Sequence, residues 1–346
     1  MRLWMRRGVV PCLLWPVSLL FAALVMLRRA FYRIAIFKTV QLPVPVIVVG
    51  NLFVGGTGKT PLTIWLVEML RNAGFHPGVI SRGYGSAEQG ARRVMAGSSP
   101  RQVGDEPVLI AQRTGCPVMV GRDRVAAGLA LLSAHPEVDV ILSDDGLQHY
   151  RLGRDIEIVL KDSRGDGNGW LLPAGPLREP RSRRRDFSIV NVGTAAPAAT
   201  ALQLQLHRPS RMRGDAILMW LEAPLAEQLI DRTQRTTLAA IAAAVPAPGI
   251  VAAAGIGNPA RFFATLSAAG LVFEPLPLPD HHDFNDTTFA GCDADLILIT
   301  EKDAVKCSEI AALASDPRLW VVPVSARIAA PFADNILERL RGHATA

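Results

Sequence analysis

The chain has little with which to build a disulfide framework or a zinc site. Its four cysteines, Cys12, Cys116, Cys292 and Cys307, are scattered, with no CxxC pair and no cysteine–histidine spacing suited to a metal. They read as reduced thiols of a cytosolic compartment. Aromatic residues are only 6% of the 346 and do not interleave with basic ones, which argues against a nucleic-acid platform built on base stacking. Long apolar runs are missing everywhere but at the start, so 49% hydrophobic residues and a mean hydropathy of +0.24 do not describe a polytopic transporter. Acidic residues (31) fall short of basic ones (37), leaving a formal net charge of +6. That balance suits an anionic partner such as a phosphate-bearing substrate or an anionic membrane.

The one long apolar run is GVVPCLLWPVSLLFAALVML, from Gly8 to Leu27, flanked by Arg2, Arg6 and Arg7 before it and Arg28, Arg29 and Arg33 after it. At about 20 residues it has roughly the length needed to cross a hydrocarbon core of about 30 Å. A cleavable signal peptide is the rival reading, but no small-residue cleavage site precedes a polar mature start. Pro11 and Pro16 favour a kinked or broken helix over a straight span. The run is expected to be an uncleaved membrane segment, spanning or interfacial, and arginines on both flanks leave its orientation open.

Beyond it, strands and helices alternate. VPVIVV, PGVIS, CPVMVG, VDVILSDDG and DIEIVLKD read as buried strands separated by amphipathic helices, the pattern of a doubly wound, mostly parallel sheet. LPAGPLREPRSRRRD interrupts it and reads as a functional loop, while QLQLH and AILMWL read as a short antiparallel ribbon. GIVAAAGIGNPARFFATLSAAG, DLILITEKDAVK and LWVVPV then build a second α/β unit. The expected organisation is an anchor over 1–33, a P-loop domain over 34–212 and a smaller α/β domain over 213–346.

A glycine at 53 is also missing. The usual phosphate loop, glycine, four residues, then Gly-Lys-Ser/Thr, needs one there, and this chain has Phe53 in GNLFVGGTGKT. Gly55, Gly56, Thr57 and Gly58 nevertheless lie between an apolar strand and a helix, where backbone N–H groups and the helix dipole can cradle phosphate oxygens. Lys59 can reach terminal phosphates and the Thr60 hydroxyl can ligate magnesium. GGTGKT is similar to the loop of the subclass that includes dethiobiotin synthetase and the deviant-Walker ATPases. Val54 stands where the latter carry their signature lysine, which weakens the rival reading of a membrane-associated ATPase acting on a protein partner. Asp144 and Asp145 end an apolar strand, where α/β sheets place ligands and where carboxylates can hold or orient the metal. Asp105 and Glu106 precede Pro107 and a helix, where N-capping would explain them. Asp280, His281, His282 and Asp283 form a loop that offers a general base, or simply a solvated turn. The arginines of 178–185 suit anionic headgroups, and Thr300, Lys302 and Asp303 read either as a helix cap or as ligand contacts.

GGTGKTP, RGYG, GDEP, GRDR, SDDGLQH, LPAGPLREP, AGIGNP, DHH and TEKDAVK occur in this order behind an apolar N-terminus. Together they closely resemble the tetraacyldisaccharide 4'-kinase (lipid A 4'-kinase) family over essentially residues 1–340. The resemblance implies a phosphotransferase using ATP and Mg2+. Its substrate would be a lipid, the 4'-hydroxyl of a tetraacylated, 1-phosphorylated glucosamine disaccharide. It would work at the cytoplasmic face of the inner membrane, and a monomer is expected. It further implies Asp105 and His281 as a dyad that deprotonates the sugar hydroxyl, with His282 as the rival histidine. Lys59 and Thr60 would hold phosphate and metal, and Asp144 and Asp145 would complete the metal site. Arg178, Glu179, His149 and Arg122 would line the site or engage phosphates, with Arg178 at the nucleotide and Glu179 at the metal. TEKDAVK would hold nucleotide from the second domain.

Overall fold

The strand VIVVG has no polar side chain to offer solvent, and it forms β1 (Val46–Gly50), buried along its whole length. The computed structural model describes residues 2–83, 90–194, 216–245, 249–329 and 331–343. Ahead of β1 lies α1 (Val9–Arg33). After it come α2 (Lys59–Asn72), β2 (Pro77–Ser81), β3 (Arg92–Val94), α3 (Pro100–Val103), α4 (Asp105–Thr114), β4 (Val118–Val120), α5 (Arg124–Ala134), β5 (Val140–Asp144), β6 (Ile156–Asp162), β7 (Phe187–Asn191) and β8 (Ile217–Glu222). The second series is β9 (Leu225–Gln228), β10 (Arg235–Thr237), α6 (Leu238–Ala244), β11 (Ile250–Ala254), α7 (Pro259–Ala268), β12 (Glu274–Pro277), β13 (Leu296–Thr300), α8 (Glu301–Cys307), α9 (Ala311–Ala314) and β14 (Leu319–Val322). The chain ends with β15 (Ser325–Ile328) and α10 (Pro331–His343).

A nine-stranded sheet is ordered β15-β8-β7-β6-β1-β5-β2-β4-β3 and is parallel apart from its two edges. Ile47 and Val49 of β1 face α2, α4 and α10, while Val46 and Val48 face α5 and the loop after β5. Both faces are therefore covered, as a doubly wound sheet requires. β1 lies between β5 and β6. The chain leaves it toward β2 on one side and returns to β6 on the other, so the crevice opens at the carboxyl ends of β1 and β5. The six-stranded second sheet is ordered β10-β9-β14-β13-β11-β12, with a parallel centre.

The strands divide differently from the boundary expected at 212/213. ILMWLE forms β8, which runs parallel to β7 within the larger sheet; QLQLH, expected to form a ribbon with it, lies outside the described residues. β15 then pairs with β8, and α10 buries Phe332, Ile336 and Leu340 in the larger core. The C-terminal segment thus returns to the P-loop half, because its apolar face finds Trp65 and Phe187 there. The smaller unit is an insertion whose strands run from β9 to β14.

α1 does not stand free of the body. Pro11 falls in its first turn and Pro16 in its interior without ending it. One face is attached along its length. Trp15 meets Trp170, Ser18 Oγ donates to the Leu171 carbonyl at 2.5 Å, Phe21 and Ala22 pack on the second core, and Tyr32 meets Tyr150. The other face leaves Val9, Leu13, Val17, Leu20, Leu24 and Leu27 exposed.

Phe332 is 2% exposed and stacks on Trp65. Phe332→Ala is expected to destabilise the larger unit by about 3–5 kcal/mol, read as a lower midpoint in denaturant unfolding.

Candidate active site

The loop after β1 works without a glycine at 53. Phe53 is buried, and Arg164 lies over its ring at 4.4 Å while donating to the Gly56 carbonyl at 2.8 Å. Asn51 Nδ2 donates to the carbonyls of Phe53 (2.6 Å) and Gly55 (3.0 Å). Gly55 and Gly58 take positive φ, 104° and 98°, which glycine adopts without cost. At Gly58 any Cβ would lie 2.4 Å from Asn191 Nδ2, the group that donates to the Thr57 carbonyl. These contacts turn the loop's carbonyls toward protein donors and leave its amides to face the crevice at the N-terminus of α2, an anion cradle.

Lys59 Nζ donates to Asn51 Oδ1 at 3.2 Å and lies 3.7 Å from Asp145 Oδ1. Asp145, just past β5, has φ 47° and pairs with Arg178 at 3.1 Å. Arg178 is delivered by LREP, whose backbone donates to the Leu52 carbonyl; the loop carrying it also accepts from Val54 N at Pro176. Burial would raise the Asp145 carboxyl, but Lys59 and Arg178 outweigh it and hold it below the usual range. Asp144 is fully buried. Burial first, and Glu106 second, push its pKa up to about 7. Thr63 donates to its Oδ1 at 3.3 Å, whereas its Oδ2 has no partner among the described residues. A buried carboxylate oxygen with no partner among the described residues, at the strand end within the field of Lys59, fits a hard divalent cation with oxygen ligands.

Arg122 is exposed, whereas Arg124 is buried, its guanidinium donating to the Gly121 and Asp144 carbonyls. Its pKa falls to about 10 through burial, against the pull of Asp144 and Asp145. Glu179 is not among the groups with an open oxygen. Arg183 takes its Oε2 at 2.5 Å and Gln148 donates to its Oε1 at 3.2 Å, so it is satisfied within its own buried pair. His149 sits in the electrostatic reach of Arg124 and Arg82, and burial with those charges depresses it to about 4. Tyr84 and Gly85 of RGYG lie outside the described residues.

The second half of the site comes from the inserted unit. Asp105 and Glu106 open α4 itself, with Gly104 before them, instead of preceding the helix as a loop. Asp105 Oδ2 lies 3.1 Å from His281 Nδ1. Burial would raise Asp105, but the His281 hydrogen bond and the charges of Lys302 and Lys306 bring it below the ordinary carboxyl value. The same hydrogen bond raises His281 against partial desolvation. His282 turns away and packs edge-on against Phe284 at 4.9 Å. Lys302 bridges to Glu106 at 3.1 Å and reaches Asp105 and Asp280 at 3.9 Å each. Burial alone would lower its ammonium, but Glu106 and Asp105 raise it. Gly257 of AGIGNP sits so close to the P-loop that a Cβ there would lie 3.1 Å from Gly56 N.

The architecture and site define a P-loop α/β phosphotransferase whose anion cradle faces an acid–imidazole pair. The sequence profile of the tetraacyldisaccharide-1-P 4'-kinase family matches residues 10–341, and the chain belongs to that family. It is 60% identical to the tetraacyldisaccharide 4'-kinase of Herminiimonas arsenicoxydans, over all of this chain and 96% of that one. It is 58% identical to that of Janthinobacterium sp., over 99% and 96% of the two chains. LpxK from Aquifex aeolicus, solved in complex with ATP, superposes with a TM-score of 0.77 at 26% identity, covering 96% of this chain and 100% of that one.

Glu106 and Lys302 stood in the sequence between helix capping and a ligand contact, and Arg124 had no signal to set it apart from Arg122; burial and the Lys302–Glu106 ion pair distinguish them only in the fold. In a histidine-detected NMR titration, His281 is expected to protonate above the ordinary 6.5 and His149 only near 4. Asp105→Asn, which weakens the partner of the imidazolium, is expected to move His281 down.

Proposed function

We propose that this chain transfers the γ-phosphoryl group of ATP to the 4'-hydroxyl of a tetraacyldisaccharide 1-phosphate, the lipid A precursor. The proposal assigns the donor half of the site to the P-loop and the base to the Asp105–His281 pair. The single observation that carries the assignment is the 3.1 Å hydrogen bond between those two residues. It joins a group at the start of α4 in the P-loop unit to one in the inserted unit. A capping acid and a solvated loop histidine have no reason to meet across 176 residues of sequence.

In the proposed mechanism the amides of Gly55 to Gly58 and the N-terminus of α2 hold the phosphates, and Lys59 compensates their terminal charge. Thr60 and Asp144 would hold Mg2+, with Asp145 beside them. The metal, when bound, supplies charge neutralisation on the phosphates. Arg178, tied to Asp145, keeps that carboxylate oriented and adds positive charge near the transferred group. Asp105, held anionic by Lys302 and Lys306, accepts a hydrogen bond from His281 Nδ1–H and leaves Nε2, with Asp280 3.9 Å away, to act as the base. Nε2 takes the proton of the acceptor hydroxyl, and Asp105 stabilises the imidazolium that forms. Both halves come from one chain, which supports a monomer as the working unit.

The lipid substrate explains α1. Its attached face runs along the body from Trp15 to Tyr32, so the helix would have to tear from Trp170, Leu171 and Tyr150 to cross a bilayer. We read it as lying in the interface with its free leucines and valines in the acyl region, as amphipathic anchors do. Arg6, Arg7, Arg28 and Arg29 are then available to anionic headgroups. The cytoplasmic face of the inner membrane, where ATP is present, is the corresponding location.

Full-length protein incubated with ATP, Mg2+ and tetraacyldisaccharide 1-phosphate is expected to add one phosphate at the distal sugar, read by mass spectrometry. Asp105→Ala and His281→Ala should each lower kcat by roughly 10²–10⁴-fold in folded protein; near-normal turnover in either would remove the dyad. The acid limb of the wild-type pH–rate profile should lie above 6.5, because the base must be neutral and its pKa is raised. Leu13→Glu, Leu20→Glu and Leu24→Glu together should cut partitioning to anionic phospholipid vesicles by about tenfold or more. Vesicle binding unchanged in that triple variant would sink the interfacial reading.

A further inference from the structure

The TEKDAVK segment reads either as a helix cap or as a nucleotide contact, and capping leaves its most buried group unexplained. Asp303 is 0% exposed. Its Oδ2 accepts from Thr300 Oγ1 at 2.7 Å and from Gly255 N at 3.0 Å, and its Oδ1 has no partner among the described residues. The cap of α8 is made by Thr300 Oγ1 accepting from the Asp303 backbone N–H, which any residue at 303 supplies. Capping therefore leaves the buried carboxylate unexplained.

The Gly255 contact explains it. Gly255 follows β11, and its carbonyl accepts from His281 N at 3.1 Å. His281 sits at φ 57°, a left-handed conformation that a residue with a side chain holds only when its surroundings impose it. A Cβ on Gly255 would lie 2.9 Å from Asp303 Oδ1 and 3.1 Å from His282 Cβ, so the carboxylate and the histidine turn press on this glycine from two sides. Lys306 closes the assembly, donating to the His282 carbonyl at 3.0 Å and lying 3.8 Å from Asp105. Three separate motifs, AGIGNP, DHH and TEKDAVK, thus converge on the backbone of one histidine.

We propose that Asp303 is a positioning residue for phosphoryl transfer, fixing His281 through the Gly255 peptide in the turn that brings Nδ1 to Asp105. The inference rests on the reading of Asp105 and His281 as the base. Asp303 touches neither phosphate nor acceptor in this role; it acts by keeping the imidazole where the proton must go, and displacements of about 1 Å at such a group cost about 10²-fold in rate.

The test uses the full chain with ATP, Mg2+ and tetraacyldisaccharide 1-phosphate, comparing Asp303→Ala, Asp303→Asn, Gly255→Ala and His281→Ala. Asp303→Ala and Gly255→Ala are expected to lose about 10²-fold in kcat with KM for ATP held within about twofold. The His281 titration, set by Asp105, Asp280, Lys302 and Lys306 around it, should fall toward the ordinary value in both. Asp303→Asn keeps an acceptor oxygen for the Gly255 N–H and should recover most of the loss. Adding Asp303→Ala to His281→Ala should cost nothing further. If His281→Ala itself retains near-normal kcat, the base assignment falls and this inference with it. If His281→Ala is slow while Asp303→Ala and Gly255→Ala keep full kcat and an unmoved His281 titration, only the positioning role is overturned. A folded Asp303→Asn as slow as Asp303→Ala, or a multiplicative loss in the double variant, overturns it as well. Gly255→Ala keeps the question answerable if Asp303→Ala does not fold.

Discussion

Asp105 opens α4 under the larger sheet, His281 stands in a left-handed turn of the smaller one, and a 3.1 Å hydrogen bond joins them. That contact requires α4 and α8 to lie side by side, and two ion pairs between them meet the requirement. Lys302 reaches Glu106, and Arg113 reaches the buried Glu301. It also requires the chain to leave the larger sheet after β8, build a second sheet and return as β15. An imidazole–carboxylate pair assembled this way is insulated on the Asp105 side, while its Nε2 lies 3.9 Å from Asp280 Oδ1. The partial burial that costs each ion its hydration also strengthens their mutual attraction, so the pair holds only because both are present.

The P-loop shows how a variant sequence reaches a familiar function by different support. A glycine at the first position of the loop lets the backbone turn with no side chain to place. Here Phe53 turns into the core instead, and Arg164 covers its ring while holding the Gly56 carbonyl. Asn51 and Asn191 hold the neighbouring carbonyls from either side. The second unit comes within contact distance of the same loop through Gly257, and Arg261 of α7 pairs with Asp162 at 2.8 Å, the residue that also holds Arg164. Loop geometry and the placement of the inserted unit are therefore coupled through one buried carboxylate.

The proposed interfacial placement of α1 bears on how the chemistry meets an amphiphilic substrate. A soluble enzyme would have to extract four acyl chains from a bilayer, at about 0.8 kcal/mol for each methylene exposed to water. In the interfacial reading proposed above, a helix fixed to the body on one face and apolar on the other keeps the site at the surface, so that the lipid need not leave it. Packing against Trp170, Leu171 and Tyr150 turns a segment long enough to span into one laid along the protein.

Much of this was legible in the residues. Alternation of apolar runs and helices identified the doubly wound sheet, because a parallel strand buried on both faces has no room for polar side chains. GGTGKT between β1 and α2 and SDDG at the end of β5 marked the cradle and its acids, because backbone amides and carboxylates are the groups that phosphate and magnesium demand. The order of the motifs pointed to the family and to Asp105 with His281. The return of β15 and α10 to the larger sheet was not legible, since an apolar strand or helix does not say which of two cores will accept it. Nor did the residues distinguish His281 from His282, Arg124 from Arg122, or a satisfied Glu179 from an open one. Neighbours in sequence share composition and motif, and they differ only in which direction the backbone turns each side chain. In the same way Asp303 read either as part of a helix cap or as a ligand contact, and only the fold brought Gly255, just past β11, within 3.0 Å of it. Local pattern determined the elements and the kinds of chemistry available, because both depend on residues close in the chain. Tertiary packing decided which members of each pair are buried, paired or brought together, because burial, hydrogen-bond direction and charge coupling arise between residues far apart in it.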